Sequence, residues 1–443
     1  MKTTRIPALA RAAMVAAAAL LLTACDFEVV VSKGGTVISD PAGINCRNGS
    51  GTCIVRDYER LGDGNDDVTT RLTAIPDAGY RLAYWKGCDS TRLLTCSKHM
   101  SGDIRIEAVF APITLAAPGA STASLRFVAV GDFGKGNSNQ KLVGDAMQRV
   151  CDQLGGCGFA IGLGDNIYGG QPQSSYDSLF ETKFEHPFVN VRFPFYMALG
   201  NHDNSLVIDG GGQFNHRGEI QVAYSYRTDR FSDKWTMPAR YYEHSHPQGA
   251  LNPVASFFAL DSNPFISPLD LNPDYLLLRY ADEQAAWLAQ VRSNSRANWK
   301  IAYAHHPYLS NGLHGNAGSY DGLMVVGPLT ARMSGEVYRQ WLQKNVCGKV
   351  DVFVTGHDHD VQLLHSVPEC GNTILLVSGA GADPRAFVDA KRNAAVYLQD
   401  NQLGFVVNEI VGDKLTMKTY SVSTSDGQAT LRHQVTFPRR ALN

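Results

Sequence analysis

Five short β-rich runs, each closely followed by a polar side chain of a metal-ligating type, constrain the fold of this chain more than any other feature. The runs cover residues 125–130, 159–163, 193–199, 299–304 and 350–355. The polar residues that follow them are Asp132, Asp165, Asn201, His305, and the pair His357 and His359. In layered α/β folds, side chains just beyond the carboxyl ends of strands converge on one crevice. Each position alone is typical of a glycine or Asx turn, but their repetition in this order predicts one shared site.

Helical patterns lie between these runs. Residues 140–154, 282–292 and 336–346 carry Leu, Val, Ala and Trp at helical spacing. Strands and helices therefore alternate, which indicates the α/β class. Three later β-rich runs, at 403–411, 415–422 and 429–437, have no helix between them. We predict that they form an antiparallel second sheet, giving a four-layer α/β/β/α sandwich.

The chain before residue 125 has a different character. Residues 25–112 show short alternating strands and turns, which predict a small all-β domain. Residues 113–124 form the predicted linker, because most of them are Ala, Pro, Gly, Ser and Thr, which cannot pack a core. The remaining residues, 125–443, make the predicted catalytic domain. A chain of 443 residues suits one large domain and one smaller domain.

The first 24 residues are typical of an export signal. Lys2, Arg5 and Arg11 precede a short apolar run, and Leu22, Thr23, Ala24 and Cys25 resemble the bacterial lipobox. This predicts cleavage before Cys25, lipidation of its thiol, and a lipoprotein anchored to a membrane of the bacterial cell envelope, at the periplasm or the cell surface. The alternative is ordinary cleavage at the same small residues, which would release a soluble periplasmic protein.

Eight cysteines remain once Cys25 is set aside from the nine of the chain. An even number in an exported protein favours disulfides, because the compartment is oxidising. Sequence alone does not fix their connectivity, but short loops suggest local pairs and leave a fourth: Cys46 with Cys53, Cys88 with Cys96, Cys151 with Cys157, and Cys347 with Cys370. No CxxC pair occurs, which argues against zinc binding by these cysteines.

Charge and motifs exclude several function classes. The chain has 40 basic and 42 acidic residues, a net charge of -2, and no basic run that could follow a phosphate backbone. We therefore expect no nucleic-acid partner. It also has no GxGxxG or P-loop pattern, which argues against a flavin- or nucleotide-binding protein.

The residues around the predicted site resemble a known family. In order, five blocks resemble the ligand blocks of the calcineurin-like metallophosphoesterases: Asp132-Phe133-Gly134, Gly164-Asp165-Asn166-Ile167-Tyr168, Gly200-Asn201-His202-Asp203, Ala304-His305 and Gly356-His357-Asp358-His359. A Tyr three positions after Asp165, and Gly134 where many relatives carry a ligand His, resemble the purple acid phosphatases, above all the small tartrate-resistant animal enzyme. Ala302 departs from the Val usual in the fourth block, at a strand position only.

The resemblance implies two metal ions that share Asp165. One site would use Asp132, Tyr168 and His359, whereas the other would use Asn201, His305 and His357. Three anionic ligands, including a phenolate, suit Fe(III) at the first site. Imidazole-rich ligation suits Zn(II), Fe(II) or Mn(II) at the second, and the sequence does not choose among them.

The expected activity is hydrolysis of phosphate monoesters by a metal-activated hydroxide, with a small phosphate ester as substrate. The family places two catalytic histidines beside the metals, and these match His202 and His314. We interpret His306, next to the predicted ligand His305, as pocket wall or a core histidine. Two alternatives stay open: a phosphodiesterase that uses the same metal pair, and a non-enzymatic surface-binding lipoprotein.

Two further segments lie outside the ligand pattern. Residues 204–218 contain three consecutive glycines and are longer than the family core needs, so they are a candidate lid. We interpret His216, His244 and His246 as histidines of a solvated loop. Residues 25–112 resemble a bacterial repeat module related to internalin B repeats, through Gly34-Gly35-Thr36-Val37, Ala78-Gly79-Tyr80 and Trp85-Lys86-Gly87-Cys88, which implies a spacer or an adhesive unit.

Overall fold

A computed structural model describes residues 26–40, 42–56, 69–77, 80–92, 94–99, 103–112, 124–205, 209–227, 229–250, 252–267, 270 and 272–442. The predicted signal peptide, the lipobox with Cys25, and residues 113–123 of the predicted linker lie outside these ranges. Within the described ranges, no helix is long and apolar enough to cross a bilayer.

The part of the chain before the linker consists of short strands in two sheets. One sheet has the order β5-β1-β10-β7 and the other β4-β3-β2-β6-β9-β8. Alternating residues such as Phe27, Val29 and Val37 point into the core between them. The strands are β1 (Phe27–Val31), β2 (Gly35–Asp40), β3 (Asn45–Arg47), β4 (Ser50–Thr52), β5 (Ile54–Val55), β6 (Thr69–Pro76), β7 (Tyr80–Lys86), β8 (Ser90–Arg92), β9 (Thr95–His99) and β10 (Ile104–Pro112).

The first sheet of the larger region has the order β14-β13-β12-β11-β22-β23-β24. Its first four strands run parallel, whereas β22 pairs antiparallel with β11 and leads into an antiparallel meander. The strands are β11 (Ser124–Val130), β12 (Phe159–Leu163), β13 (Phe195–Ala198), β14 (Trp235–Thr236), β22 (Leu403–Val411), β23 (Lys414–Val422) and β24 (Ala429–Pro438).

The second sheet has the order β15-β16-β17-β18-β20-β19-β21. Strands β16, β17, β18 and β20 run parallel, and antiparallel strands complete both edges. The strands are β15 (Tyr242–His246), β16 (Ala255–Ala259), β17 (Trp299–Tyr303), β18 (Val352–Thr355), β19 (Val361–Leu364), β20 (Ile374–Ser378) and β21 (Ala395–Gln399).

The two sheets face each other, with helices on their outer faces. Phe127 of the first sheet packs edge-on against Phe257 of the second, within one core that also buries Met147 of α1. Trp287 of α4 and Trp341 of α6 pack in a separate core on the outer face of the second sheet. The helices are α1 (Ser138–Gln153), α2 (Gly218–Ser225), α3 (Asn263–Ile266), α4 (Leu277–Asn294), α5 (Pro328–Met333) and α6 (Glu336–Asn345).

The prediction that the last three β-rich runs form the second sheet was wrong. The runs at 403–411, 415–422 and 429–437 form strands β22, β23 and β24, but these extend the first sheet through β11. The register pairs Leu125 with Ile410 and Phe127 with Asn408. The five runs that precede the polar residues are divided between the sheets, three in the first and two in the second. Layers of helix, sheet, sheet and helix nevertheless result.

The histidines of β15 also differ from the prediction. His244 is buried and stacks on Tyr196 and Phe257, and His246 stacks on Phe159. The solvated-loop interpretation was therefore wrong for both, because residues 242–246 form an edge strand that pairs with β16. His216 is exposed, as expected.

All four expected disulfides are present: Cys46–Cys53, Cys88–Cys96, Cys151–Cys157 and Cys347–Cys370. The first three close loops of 6 to 8 residues, as the short spacings suggested. The fourth joins the end of α6 to the turn before β20. It therefore ties a helix of the outer layer to the second sheet.

Candidate metal centre

The polar residues that follow the β-rich runs meet at one place. One crevice is formed by loops from both sheets. These loops follow the carboxyl ends of β11, β12 and β13 in the first sheet and of β17 and β18 in the second. All seven predicted ligands lie in these loops, and six of them are buried. The seven are Asp132, Asp165, Tyr168, Asn201, His305, His357 and His359.

The first predicted ligand group brings a carboxylate, a phenol and an imidazole into contact. Tyr168 Oη lies 3.2 Å from Asp132 Oδ1 and 3.1 Å from His359 Nε2. His359 Nδ1 donates a hydrogen bond to the backbone carbonyl of Asp383 at 2.7 Å. This bond selects the tautomer in which Nε2 carries the free lone pair, and that atom is 3.6 Å from Asp132 Oδ1.

The second predicted group is arranged by the same principle. His305 Nε2 lies 2.8 Å from Asn201 Oδ1 and 3.1 Å from His357 Nδ1. His305 Nδ1 donates to the carbonyl of Leu163 at 2.8 Å, so its Nε2 faces the site. Asn201 Nδ2 donates to the carbonyl of Gly210 at 2.7 Å, which turns the amide oxygen toward the imidazoles.

Asp165 lies between the two groups, where the resemblance places a bridging carboxylate. Its Oδ2 is 3.4 Å from His305 Nε2, in the second group. On the other side, the charge of the same carboxylate helps to raise the pKa of Tyr168, after the larger effect of burial. Donor atoms of Asp132, Asp165 and His305 all lie within 4.8 Å of one another. The structure therefore brings the seven residues together, and their role as ligands stays a prediction.

The glycines in the sequence blocks are explained by close approach to these carboxylates. A Cβ at Gly200 would lie 2.2 Å from Asp165 Oδ1, and one at Gly356 would lie 2.4 Å from Asp132 Oδ2. Neither contact is sterically allowed, so only glycine fits beside each carboxylate.

Three of the predicted ligands hold strained backbone conformations. Asp132, Asp165 and His357 have φ values of 58°, 53° and 69°, in the left-handed region. Such conformations cost about 1–3 kcal/mol each and persist where the surroundings determine them. One such constraint is the His357 N–H, which donates to Asp132 Oδ2 at 2.9 Å. The arrangement is thus held together by the chain itself.

The electrostatics of the site fit bound cations. Burial raises the pKa of Asp132 well above its usual value, and the neighbouring Asp165 adds to this rise. Burial acts the same way on Asp165, but the charges of His305 and His202 outweigh it and lower its pKa. Burial would lower the pKa of His305, yet the two carboxylates raise it to about 9. Two buried acidic side chains and a phenol thus lie beside an imidazole, and oxygen and nitrogen donors of this kind suit two metal ions.

The predicted catalytic histidines both border this crevice. His202 Nε2 is 3.9 Å from Asp165 Oδ2, and the ring of His314 stacks on the ring of His357 at 4.0 Å between centroids. Each histidine is also paired with a carboxylate seven positions later in the chain. Nδ1 of His202 is 2.7 Å from Asp209 Oδ1, and Nδ1 of His314 is 2.7 Å from Asp321 Oδ1.

His306 lies beside the predicted ligands, and one of its ring nitrogens is within 4.8 Å of ring nitrogens of His305 and His357. It is buried, and its Nδ1 lies 2.8 Å from the hydroxyl of Ser262. Its ring centroid is 4.4 Å from that of His357. His306 thus packs beside the second ligand group.

Two buried carboxylates in the motif blocks were not singled out from the sequence. Asp203 accepts hydrogen bonds from the backbone N–H groups of Asn166, Ile167 and Gly200, which locks the loop after β12 to the loop after β13. Asp358 accepts from the backbone N–H of His314 at 2.8 Å. The sequence could have indicated both residues by their positions. Asp203 directly follows Asn201-His202, and Asp358 lies between His357 and His359.

The candidate lid contacts the site in its described part, residues 209–218. Gly210 accepts the Asn201 amide hydrogen bond, and a Cβ at this position would lie 2.8 Å from His202 Nε2. The next turn is fastened by Asn263, whose Nδ2 donates to the carbonyl of Gly212. Residues 206–208 lie outside the described ranges, and opening of this loop stays a prediction.

Residues 125–361, more than half of the chain, match the family model described as calcineurin-like phosphoesterase. The chain belongs to the calcineurin-like phosphoesterase family. The predicted resemblance is confirmed at this level. The match begins where the predicted catalytic domain begins, and the internalin B resemblance of the preceding residues stays a prediction.

Curated relatives of this calcineurin-like phosphoesterase include purple acid phosphatases at low identity. Purple acid phosphatase 4 of Arabidopsis thaliana is 24% identical over 73% of this chain and 91% of its own length. Tartrate-resistant acid phosphatase type 5 of Sus scrofa is 26% identical over 73% and 89%, and its Oryctolagus cuniculus counterpart is 28% identical over 59% and 74%. The homology to purple acid phosphatases is therefore real but weak.

A solved structure agrees on the fold. GAP50, described as the anchor in the inner membrane complex of Plasmodium, superposes with a TM-score of 0.53 at 17% identity, over 72% of this chain and 90% of that one. This similarity concerns the fold alone.

Proposed function

We propose that this chain hydrolyses phosphate monoesters at a dinuclear metal centre of the purple acid phosphatase type. The observation that carries the proposal is the position of Asp165, whose carboxylate lies within 4.8 Å of Asp132 in one donor group and 3.4 Å from His305 Nε2 in the other. A single carboxylate between two donor groups is the arrangement that two metal ions sharing a bridge require. The weak homology to purple acid phosphatases supports the same activity.

The donor set distinguishes the two proposed metal positions. Asp132, Tyr168 and His359 would hold Fe(III), because carboxylate and phenolate oxygens favour a hard trivalent ion. Asn201, His305 and His357 would hold Fe(II), Zn(II) or Mn(II). When bound, such a pair supplies Lewis acidity toward phosphoryl oxygens and a water molecule of lowered pKa.

The side chains around the centre would handle the leaving group. In hydrolysis of a monoester the P–O bond to the alcohol breaks, and the departing alkoxide needs a proton. His202 and His314 border the crevice, and each is paired through Nδ1 with a carboxylate, Asp209 or Asp321. This pairing leaves Nε2 of each ring as the atom that can face a substrate and carry the proton it donates.

Rates on two chromogenic substrates test the proposal. The holoenzyme should hydrolyse p-nitrophenyl phosphate at least about tenfold faster, in kcat/KM, than bis-p-nitrophenyl phosphate, with two metal ions per chain by elemental analysis. A preference for the diester would favour the phosphodiesterase alternative. Protein that contains two metal ions yet hydrolyses neither ester would favour the non-enzymatic alternative and contradict the proposal.

We also propose that the chain is an exported lipoprotein of the bacterial cell envelope, attached to a membrane through Cys25. The lipobox at residues 22–25 supports this location. Detergent phase partitioning after expression in a bacterium tests it. The wild-type chain should enter the detergent phase and Cys25→Ala the aqueous phase, whereas aqueous partitioning of both would contradict lipidation.

A further inference from the structure

A projecting loop with exposed apolar side chains adjoins the catalytic pair His314–Asp321. Among the residues that the structure describes, eighteen large hydrophobic side chains are exposed, and five of them lie between positions 313 and 329. These five, which we call the apolar rim, are Leu313 (48% exposed), Met324 (77%), Val325 (48%), Val326 (80%) and Leu329 (54%). Such clustering of exposed apolar surface in one short segment calls for an explanation by binding.

The loop that carries the apolar rim is held at both ends. Tyr320, at its start, is buried and its hydroxyl donates to the carbonyl of Pro307. Toward its end, Thr330 Oγ1 accepts from the backbone N–H groups of Val326 and Gly327 at 2.9 and 3.0 Å. The exposed side chains therefore project from a fixed backbone.

The apolar rim is close in sequence to the candidate active site. Leu313 directly precedes His314, and Met324 follows Asp321 by three residues. Three residues of fully extended chain span at most about 11 Å, so Met324 cannot lie farther than that from Asp321 along the backbone. From residue 322 to residue 331 the sequence has no charged side chain. The one polar side chain in this stretch is that of Thr330, and its hydroxyl is bonded to the backbone of Val326 and Gly327.

We propose that the apolar rim binds the hydrophobic alcohol portion of the substrate, so that phosphate monoesters with longer alkyl chains are preferred to those with short ones. This proposal rests on the proposed monoesterase function and adds the leaving-group class. The phosphate lies at the metal centre, and the alkyl chain extends past His314 onto Leu313, Met324 and Val326. Each methylene placed on this surface loses part of its contact with water, which favours binding of longer chains.

A chain-length series on the full-length holoenzyme tests the proposal. Methyl, butyl and hexyl phosphate are compared below their micelle-forming concentrations. Half-burial of each methylene predicts a rise in kcat/KM of about twofold per carbon, or roughly thirtyfold from methyl to hexyl. As a measurement independent of turnover, hexylphosphonate should bind with a more negative heat-capacity change than methylphosphonate, because more apolar surface is buried.

In the double variant Met324→Ser/Val326→Ser, the rise in kcat/KM from methyl to hexyl phosphate should shrink to about threefold or less. The kcat/KM for methyl phosphate should stay unchanged. Val411→Ser is the matched control, since Val411 is 49% exposed and pairs with Ser124, at the opposite end of β11 from Asp132. It should keep the full series. The proposed role of the apolar rim is contradicted if the wild type has equal kcat/KM for all three esters. It is also contradicted if the double variant keeps the full rise with chain length. Failure to hydrolyse any of the esters contradicts the proposed function instead.

Discussion

At Tyr168, burial and the adjacent Asp165 and Asp132 carboxylates oppose loss of the phenol proton and raise its pKa well above the usual value. A trivalent cation bound at Oη would favour the phenolate and so oppose this effect of the protein. The protonation of Tyr168 is therefore the property of the site that would respond most to a bound metal ion, and it tests the proposed purple acid phosphatase type.

Tyr168→Phe tests this role. With Fe(III) bound to the phenolate, the wild-type protein should show a visible charge-transfer band, and the variant should lose it while retaining some hydrolysis through the remaining donors. Absorbance spectra and iron content of both proteins check the expectation. Tyr176→Phe, an exposed tyrosine stacked on Arg227, is the control and should keep the band. A colourless, iron-free wild-type protein with full activity would show that Tyr168 only packs.

The buried histidines of β15 concern stability rather than catalysis. Burial lowers the pKa of His246 to about 4 and that of its neighbour His244 well below the usual 6.5. Between these limits the unfolded chain binds protons that the folded chain does not, so the stability of the fold decreases as the pH falls from about 6.5 toward 4.

His246→Gln should weaken this acid sensitivity. The drop in thermal unfolding midpoint between pH 7 and pH 5 should be smaller in the variant than in the wild type, by a few degrees. Calorimetry or circular dichroism at the two pH values measures it. His365→Gln, at an exposed position, should leave the drop unchanged. An equal drop in wild type and His246→Gln would indicate that other groups cause the acid sensitivity.

At the scale of an element, the loop from β17 to His314 depends on the neighbouring loop after β18. Asp358 in that loop accepts hydrogen bonds from the backbone N–H of His314 and from the hydroxyl of Ser310. Gly312 lies against the same carboxylate, where a Cβ would be 2.4 Å from Asp358 Cγ. One buried carboxylate thus positions the segment that carries a predicted catalytic histidine.

Asp358→Ala should therefore displace His314 without removing any predicted ligand. We expect kcat for p-nitrophenyl phosphate to fall about 10- to 100-fold, the range typical of residues that orient a metal site, while two metal ions remain bound. Hydrogen exchange of residues 310–316 should accelerate. Asp413→Ala, in the turn between β22 and β23, is the control. Unchanged kcat and exchange in Asp358→Ala would contradict the positioning role.

At the scale of the whole molecule, the N-terminal strands meet the larger region away from the metal centre. Thr91 of β8 donates to the carbonyl of Pro238, which also accepts from the hydroxyl of Tyr226. A cleft of about 840 Å³ lies between the two parts, lined by residues such as Tyr84 and Trp287. None of the residues that line it is a predicted ligand or catalytic histidine.

Residues 124–443 alone should consequently keep the activity of the full chain. We expect kcat/KM for p-nitrophenyl phosphate to stay within about threefold, with a lower unfolding midpoint because the contact through Thr91 is lost. Kinetics and thermal unfolding of the two proteins measure both effects. A loss of more than about tenfold in a folded truncated protein would show that the N-terminal strands help to form the site.

Short-range sequence patterns were enough to predict many of the strands and helices of this protein and the convergence of its candidate ligands. Strands followed by Asp132, Asp165, Asn201, His305 and the His357–His359 pair are short-range features, and the helical periods and short cysteine spacings are equally local. Because parallel strands present their carboxyl ends at one edge of a sheet, this information was enough to predict that the ligands converge. Three of the disulfide pairs follow from proximity in sequence, and Cys347–Cys370 follows as the pair that remains; all four were confirmed.

Only the tertiary structure decided which sheet the last strands join. Pairing of Leu125 with Ile410 links segments far apart in sequence, and alternation of apolar residues does not specify a strand's partner. The environment of His244 depended in the same way on Tyr196 and Phe257, which other strands contribute. The His202–Asp209 and His314–Asp321 pairs likewise require loops to fold back, a geometry that residue types and spacing do not encode.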